Sequence, residues 1–199
     1  MRKKKQAVAV RIETERYGLP YPFSPAFNID DAQEFLEALL GPQAEDEPED
    51  DAEDAPAGED AAPEKREDAE PERSSFFSEG TLSETADRVE IVYEESVITG
   101  MEGSVTSIGF SKSDPSVVTM FRKGIVNTAF VFEPLVRHIC VYETPMGGFE
   151  LCVHALAVRN ALLSEGVLEL DYLTELHGAR AERCKMKIRI TPAGGQSPF

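Results

Sequence analysis

Cys184-Lys185-Met186-Lys187-Ile188-Arg189-Ile190 is the stretch of this chain in which apolar and basic residues alternate most strictly. Residues two positions apart lie on the same face of a β-strand, so the stretch predicts a strand with one face in a core and the other in water. Similar short runs, separated by turn residues, recur from Ser75 to Thr191 with almost no helical periodicity. Short strands that repeat in this way over a whole domain predict an antiparallel all-β sandwich or barrel.

About ten strands are predicted in total. They are Lys5–Glu13, Ser75–Leu82, Arg88–Glu95, Ser104–Ser111, Val117–Arg122, Asn127–Glu133, Arg137–Glu143, Phe149–Arg159, Gly166–Glu175 and Ala181–Thr191. Short connections favour hairpins between consecutive strands, and closing such a meander removes its exposed edges. We therefore predict an up-and-down barrel of about 8–10 strands, with an open sandwich as the alternative.

An insertion interrupts the barrel after its first strand. We assign residues 1–16 to that strand, 17–42 to an insertion with a short helix at about 30–40, and 74–192 to the rest of the barrel. Residues 193–199 are predicted to be a disordered tail. The helix prediction rests on a capping aspartate and on an apolar stripe at helical spacing, formed by Phe35, Leu36, Leu39 and Leu40.

Residues 43–73 are predicted to be a disordered acidic linker. They hold fifteen acidic and three basic residues and no Val, Ile, Leu, Phe or Tyr, so nothing offsets the entropy of ordering them. This segment carries most of the net charge of −17, and the remainder is only mildly acidic. A basic surface for nucleic acid is therefore not expected.

The sequence also predicts a location. No apolar stretch is long enough to span a bilayer as a helix. The basic tip Met1–Lys5 is followed by an apolar run, Ala7–Val10, that is too short for a signal peptide. Three cysteines fit a reducing compartment without a disulfide framework. We expect a cytoplasmic protein.

Four motifs carry a resemblance to a known family. They are Thr99-Gly100-Met101-Glu102-Gly103-Ser104, Gly124-Ile125-Val126-Asn127, Phe132-Glu133 and Tyr142-Glu143-Thr144-Pro145-Met146-Gly147. In this order and spacing, the chain resembles the bacterial YwiB-like proteins, domain-of-unknown-function family 1934. The resemblance implies a lipocalin-like barrel of the calycin type. It implies no established activity and no cofactor.

The barrel interior is where we expect function. A barrel of about eight strands is either filled by side chains or holds one small ligand, and inward polar residues favour a ligand. Arg122, Asn127, Tyr142 and Glu143 are the candidate ligand-binding residues, because they flank turns near one rim or lie in the family-like motifs. Asn127 and Glu143 have a structural alternative, which is to satisfy backbone groups where strands end.

Other chemistry has weaker support. The isolated histidines His138, His154 and His177 predict no metal site. A turn centred on Met146 would place Cys140 directly opposite Cys152, which would allow redox pairing, although two core-filling thiols are the simpler interpretation. No catalytic motif is recognised, so we expect a protein that is not an enzyme, and an enzyme of unknown class is the third and last-ranked hypothesis.

Two binding hypotheses remain. The first is a small apolar or amphipathic ligand, such as a lipid, inside the barrel; an enclosed cavity of about 300 Å³ or more would favour it. The second is an interaction module with a solid barrel, whose helix stripe or acidic segment binds a protein partner. Alternatively, the helix packs on its own barrel instead of binding a partner.

Overall fold

The structure, a computed structural model, describes residues 3–18, 70–99, 101–176 and 179–193. Its strands form one closed antiparallel barrel, in which each strand pairs with its neighbours in sequence and the first pairs with the last. The strands are β1 (Lys4–Gly18), β2 (Glu72–Glu84), β3 (Arg88–Glu94), β4 (Val105–Ser111), β5 (Val118–Lys123), β6 (Asn127–Phe132), β7 (Arg137–Thr144), β8 (Gly147–Ala161), β9 (Val167–Leu176) and β10 (Ala179–Pro192). The prediction of an up-and-down closed barrel is confirmed.

The first two strands are longer than the sequence predicted. β1 continues past Glu13 to Gly18, and β2 begins at Glu72 instead of Ser75. Thirteen residues of β1 face β2, from Lys4 opposite Glu84 to Arg16 opposite Glu72. In the residues by which the two strands are longer, side chains still alternate between the two faces. Those on the inner face are polar, so the sequence there shows no alternation of apolar and polar residues.

One half of the barrel interior is a solid apolar core. Its members have no exposed surface and come from strands all around the barrel. They include Val10, Val89, Ile91, Val118, Phe132, Val153, Leu168 and Ile188. A core packed in this way stabilises the barrel by removing apolar surface from water.

A short helix closes the apolar half. This helix, α1 (Leu162–Glu165), joins β8 to β9 and buries Leu162 in the core. It ends at Gly166, which adopts a left-handed conformation (φ 70°, ψ 23°) and donates its N–H to the carbonyl of Leu162 over 3.1 Å. A Cβ at this position would lie 2.7 Å from the carbonyl oxygen of Ile190, so the turn requires glycine.

The predicted pairing of Cys140 with Cys152 is wrong. The β7–β8 hairpin turns on two residues, Pro145 and Met146, with Thr144 facing Gly147. Cys140 therefore faces Leu151, and Cys152 faces Ile139. Side chains alternate between the two faces of a strand, so this shift of one residue places the two thiols on opposite faces of the sheet.

Several predictions fall outside the described residues. The helix at about 30–40, with its stripe of Phe35, Leu36, Leu39 and Leu40, is one of them. The others are nearly all of the 43–73 linker, residues 194–199 and His177. They remain predictions.

Candidate functional site

The other half of the barrel interior is polar and contains a cavity of about 60 Å³. It lies where β1, β3, β5, β7 and β9 end, opposite the end that α1 closes. We call it the polar end. Its polar lining residues are Thr14, Arg16, Ser74, Tyr93, Glu95, Thr99, Arg122, Tyr142, Tyr172, Thr174 and Glu182. The volume is well below the roughly 300 Å³ of a typical small-molecule pocket.

One inward-facing row of side chains crosses five consecutive strands at the polar end. Tyr93 on β3 faces Thr106 on β4, which faces Arg122 on β5. The row continues through Thr128 on β6 to Tyr142 on β7. These residues share one face because the strands pair without a register shift between them. The row therefore brings together residues that lie up to 49 positions apart in the sequence.

Glu95 and Arg122 form a buried ion pair beside this row. Their side chains are 1% and 11% exposed, and Arg122 Nη2 lies 3.1 Å from Glu95 Oε1. The same oxygen accepts a 2.6 Å hydrogen bond from the hydroxyl of Thr106. Burial by itself would lower the pKa of Arg122, but the charge of Glu95 and smaller contributions from neighbouring groups together outweigh it and raise that pKa. Arg122 therefore remains a cation.

The second oxygen of Glu95 has a different environment. Oε2 is buried, and it accepts no hydrogen bond from any residue that the structure describes. A buried acceptor without a donor costs about 1–3 kcal/mol. Glu95 also lines the cavity.

Two tyrosines border the ion pair. Burial raises the pKa of Tyr93, and the negative charge of Glu95 raises it further. Burial also raises the pKa of Tyr142, although the positive charges of Arg122 and Arg16 oppose the shift. Both hydroxyls therefore stay protonated at neutral pH and present dipoles, not charges, to the cavity.

A second arginine–glutamate pair lines the same cavity. Arg16 Nε lies 3.7 Å from Glu182 Oε1, and the two side chains are 16% and 9% exposed. Burial raises the pKa of Glu182, and the charge of Arg16 counteracts part of that shift. The polar end thus holds two arginines and two glutamates in a small volume, and their formal charges cancel.

The structure places the four predicted site residues in two different places. Arg122 and Tyr142 lie together in the interior row. Asn127 and Glu143 are exposed and face each other across the β6–β7 ladder, where they line a shallow outer hollow. Asn127 accepts a 3.3 Å hydrogen bond from the N–H of Gly124, which is the structural alternative foreseen for it.

Sequence reasoning did not single out Arg16, Glu95 or Glu182 as site residues. A signal was present in the alternation itself. Glu95 follows the inward Tyr93 by two positions, Arg16 follows the inward Thr14 by two, and Glu182 precedes the inward Cys184 by two. Extending the period of two beyond the apolar residues would have placed all three side chains inside the barrel.

A larger hollow lies elsewhere. An open groove of about 630 Å³ runs over the outer face of β8, β9, β10, β1 and β2. Several of the charged residues that line it are in exposed or half-exposed ion pairs: Glu169 pairs with Lys187 and Arg159, and Glu15 pairs with Arg73. Asp171 pairs with Arg183, which lies next to the groove. The interior cavity is the better candidate, since its charges are buried and one acceptor there has no donor.

Two searches cover the part of the chain that the structure describes, one for groups of metal-binding side chains and one for membrane-spanning helices. There, no group of three or more His, Cys, Asp or Glu side chains is arranged to hold a metal ion. His138 contacts Glu133, with Nε2 3.0 Å from Oε2. Among the same residues, no helix is long and apolar enough to cross a membrane.

Comparison with known proteins assigns the chain to a family. The model of the family described as Domain of unknown function (DUF1934) matches residues 62–188. The chain belongs to this family. The match contains β2 to β9 and most of β10, together with Glu95, Arg122, Tyr142 and Glu182, and it leaves out β1 with Arg16.

A solved structure is similar over nearly the whole chain. The crystal structure of the ywiB protein from Bacillus subtilis matches with a TM-score of 0.54 and 13% sequence identity, covering 93% of this chain and 92% of that one. At this identity the likeness concerns the fold. No curated protein matches the chain. The family resemblance inferred from the four sequence motifs is confirmed.

Proposed function

We propose that this DUF1934 protein is a non-enzymatic binding barrel that takes up a small polar ligand, or the polar end of an amphipathic one, at the polar end of its interior. The observation that carries the proposal is the buried Oε2 oxygen of Glu95, which lines the cavity and receives no hydrogen bond from the described residues. A ligand hydroxyl or ammonium group would supply that donor.

The cavity narrows the class of ligand. A volume of about 60 Å³ admits a few water molecules or a group of a few heavy atoms, so a whole lipid does not fit. The charged and hydroxyl-bearing lining also favours a polar group over an apolar one. Of the two binding hypotheses from the sequence, we therefore keep the one that places a ligand inside the barrel, and we restrict the ligand to a small polar group.

The proposal that the barrel is not an enzyme rests on how its charges are used. Arg122 holds Glu95, and Arg16 lies next to Glu182, so each ionised group is already engaged by its opposite. The calycin-like character, the cytoplasmic location, the bacterial source and the partner-binding helix remain predictions from the sequence.

Nuclear magnetic resonance of the full chain tests the proposal with defined probes. Ethanolamine and glycerol, which donate hydrogen bonds, should shift the backbone amide signals of Glu95, Thr106 and Arg122. Acetate, which only accepts them, should not. Glu95→Gln should abolish the shifts, whereas Glu143→Gln, which changes an exposed glutamate, should retain them.

Native mass spectrometry of freshly purified protein extends the test to a natural ligand. An extra mass that is present in the wild type and in Glu143→Gln, but absent from folded Glu95→Gln, would support the proposal. Failure of both donor probes to shift the interior signals, together with no bound mass, would contradict it.

A further inference from the structure

The interior cavity has an apolar side as well as a polar lining. The strands contribute five apolar lining residues, which we call the floor: Ile12, Phe76, Met120, Phe130 and Met186. Apart from the half-buried Met186, each of them is at most 7% exposed and belongs to the apolar core. The cavity therefore lies at the boundary between the apolar core and the polar end.

The apolar and polar lining residues are ordered along the barrel. On β5, which ends at the polar end, Met120 comes two positions before Arg122. β2 begins at the polar end and runs the other way, and there Phe76 comes two positions after Ser74. Inward side chains on a strand are two positions apart, so in both strands the apolar residue is one step nearer the core. The cavity thus changes from polar to apolar along its length.

Two of the floor residues are methionines. Met120 on β5 is 1% exposed, and Met186 on β10 is half-buried and packs against the core. A methionine side chain is unbranched and has three rotatable bonds, so it adapts its shape to the group that it contacts. The floor can therefore adjust to an alkyl chain by changes of rotamer, without movement of the strands.

The volume of the cavity limits what can lie on the floor. The cavity measures about 60 Å³, and a buried water needs about 10–15 Å³, so there is room for roughly four to six non-hydrogen atoms. A hydroxyl group on a short alkyl chain has this size. A chain of that length reaches from the polar lining to the floor, and a longer molecule must extend out of the cavity.

We propose that the group which enters the cavity is amphipathic: a hydrogen-bond donor on an alkyl chain of about two to four carbons. This inference rests on the proposed function, which places the donor at Glu95, and it adds that the chain lies on the floor. A polyol or a sugar is polar on every side, so some of its hydroxyl groups would lie against apolar side chains and lose their hydration without a partner. Such compounds should bind more weakly than an alcohol of similar size.

A homologous series of alcohols tests the floor. Ethanol, n-propanol and n-butanol keep the hydroxyl group and lengthen the chain by one CH₂ at a time, and nuclear magnetic resonance titration of the full chain measures their affinities. We expect n-butanol to bind about tenfold more tightly than ethanol, because each buried CH₂ contributes up to about fourfold. Glycerol should bind more weakly than n-butanol. Methyl propyl ether, an isomer of n-butanol without a donor, should bind at least about tenfold more weakly than n-butanol.

Methionine methyl signals report where the chain lies. In protein with carbon-13 labels in these methyl groups, n-butanol should shift the signals of Met120 and Met186, but not that of Met146, which is exposed in the β7–β8 turn. Met186→Gln places a polar amide in the floor and should reduce the gain from ethanol to n-butanol to about twofold or less. Met146→Gln makes the same change in the turn and should keep the tenfold gain. Circular dichroism checks that both variants are folded.

The outcomes separate this inference from the proposed function. Equal affinity for ethanol and n-butanol, or tighter binding of glycerol than of n-butanol, would overturn the amphipathic ligand while the response of Glu95 to glycerol still supported a polar one. A tenfold gain that persists in folded Met186→Gln would overturn the position of the chain on the floor. If Met186→Gln does not fold, the wild-type alcohol series and its methyl signals decide. No interior response to ethanolamine, glycerol or any alcohol would contradict the proposed function itself.

Discussion

At the scale of single residues, the ion pair between Glu95 and Arg122 makes two opposing contributions to stability. Two charges lose their hydration in the barrel, and their attraction only partly compensates. Breaking the pair with Glu95→Gln leaves an unpaired buried guanidinium, so we expect the free energy of unfolding to fall by about 3–5 kcal/mol. Urea unfolding followed by circular dichroism measures the loss.

The matched double variant separates stability from function. Glu95→Leu combined with Arg122→Met removes both charges and fills the space with apolar groups, so we expect stability close to wild type. Glu143→Gln is the surface control and should change little. If the double variant is as unstable as Glu95→Gln, the polar lining is needed for the fold itself. If it is stable but unresponsive to ethanolamine, the pair serves binding.

At the scale of elements, two glycines in turns allow steric and conformational costs to be compared. Gly166 and Gly103 both have a positive φ, of 70° and 79°. A Cβ at Gly166 would meet the carbonyl oxygen of Ile190, whereas a Cβ at Gly103 would meet nothing within 4 Å. We expect Gly103→Ala to cost about 1–2 kcal/mol, and Gly166→Ala about 1–3 kcal/mol more.

Thermal and urea unfolding of the two alanine variants check this order. Equal losses would mean that the Ile190 strand moves aside and that only the backbone conformation matters. A larger loss in Gly103→Ala would contradict the close approach of Gly166 to the carbonyl oxygen of Ile190.

The elements also show why sequence predicted the strands better than the site. Alternation of apolar residues located all ten strands, because burial of one face is a local property of the chain. It ended β1 at Glu13, where the inner residues become Thr14 and Arg16. It also misjudged the β7–β8 register, which depends on whether the turn has two or three residues.

The site depends on relations between strands that no local pattern contains. Glu95 follows β3 and Arg122 lies on β5, so their contact results from the pairing of both strands with β4. Sequence reasoning chose all four site residues because they flank turns near one rim or lie in the family-like motifs. The barrel brings Arg122 and Tyr142 into the same inward-facing row, whereas Asn127 and Glu143 alternate to the outside.

At the scale of the whole molecule, buried groups that lose a proton at alkaline pH, such as thiols, should make the free energy of unfolding fall as the pH rises. Burial raises the pKa of the Cys184 thiol from 9.0 to about 11. A folded-state pKa above the unfolded value means that the stabilisation is complete below about pH 9 and is lost as the pH rises to 11. This thiol should contribute a slope of up to about 1.4 kcal/mol per pH unit in that window.

Urea unfolding at several pH values between 8 and 11 measures the slope. Cys184→Ala lowers stability at every pH through lost packing, but its stability should fall less steeply above pH 9. A wild-type slope that is retained in Cys184→Ala would assign the alkaline loss to other groups, such as the buried Tyr172, whose pKa burial also raises.

The barrel should also fold without most of its acidic insertion. Arg16 faces Glu72, so deleting residues 19–69 and joining Gly18 to Glu70 leaves a four-residue connection between the paired strands, a common hairpin length. The shorter connection costs less entropy to close, and we expect the free energy of unfolding to rise by about 2 kcal/mol. Urea unfolding of both proteins by circular dichroism measures this difference.

The sign of that change decides between the two interpretations of the Phe35, Leu36, Leu39 and Leu40 stripe. A rise in stability means that the deleted residues make no net stabilising contact with the barrel, which leaves the stripe available for a partner. A fall of several kcal/mol means that the stripe packs on its own barrel, because losing that many buried apolar side chains outweighs the entropy gained. In either case, the interior response to ethanolamine should persist, since Glu95 and Arg122 lie outside the deleted segment.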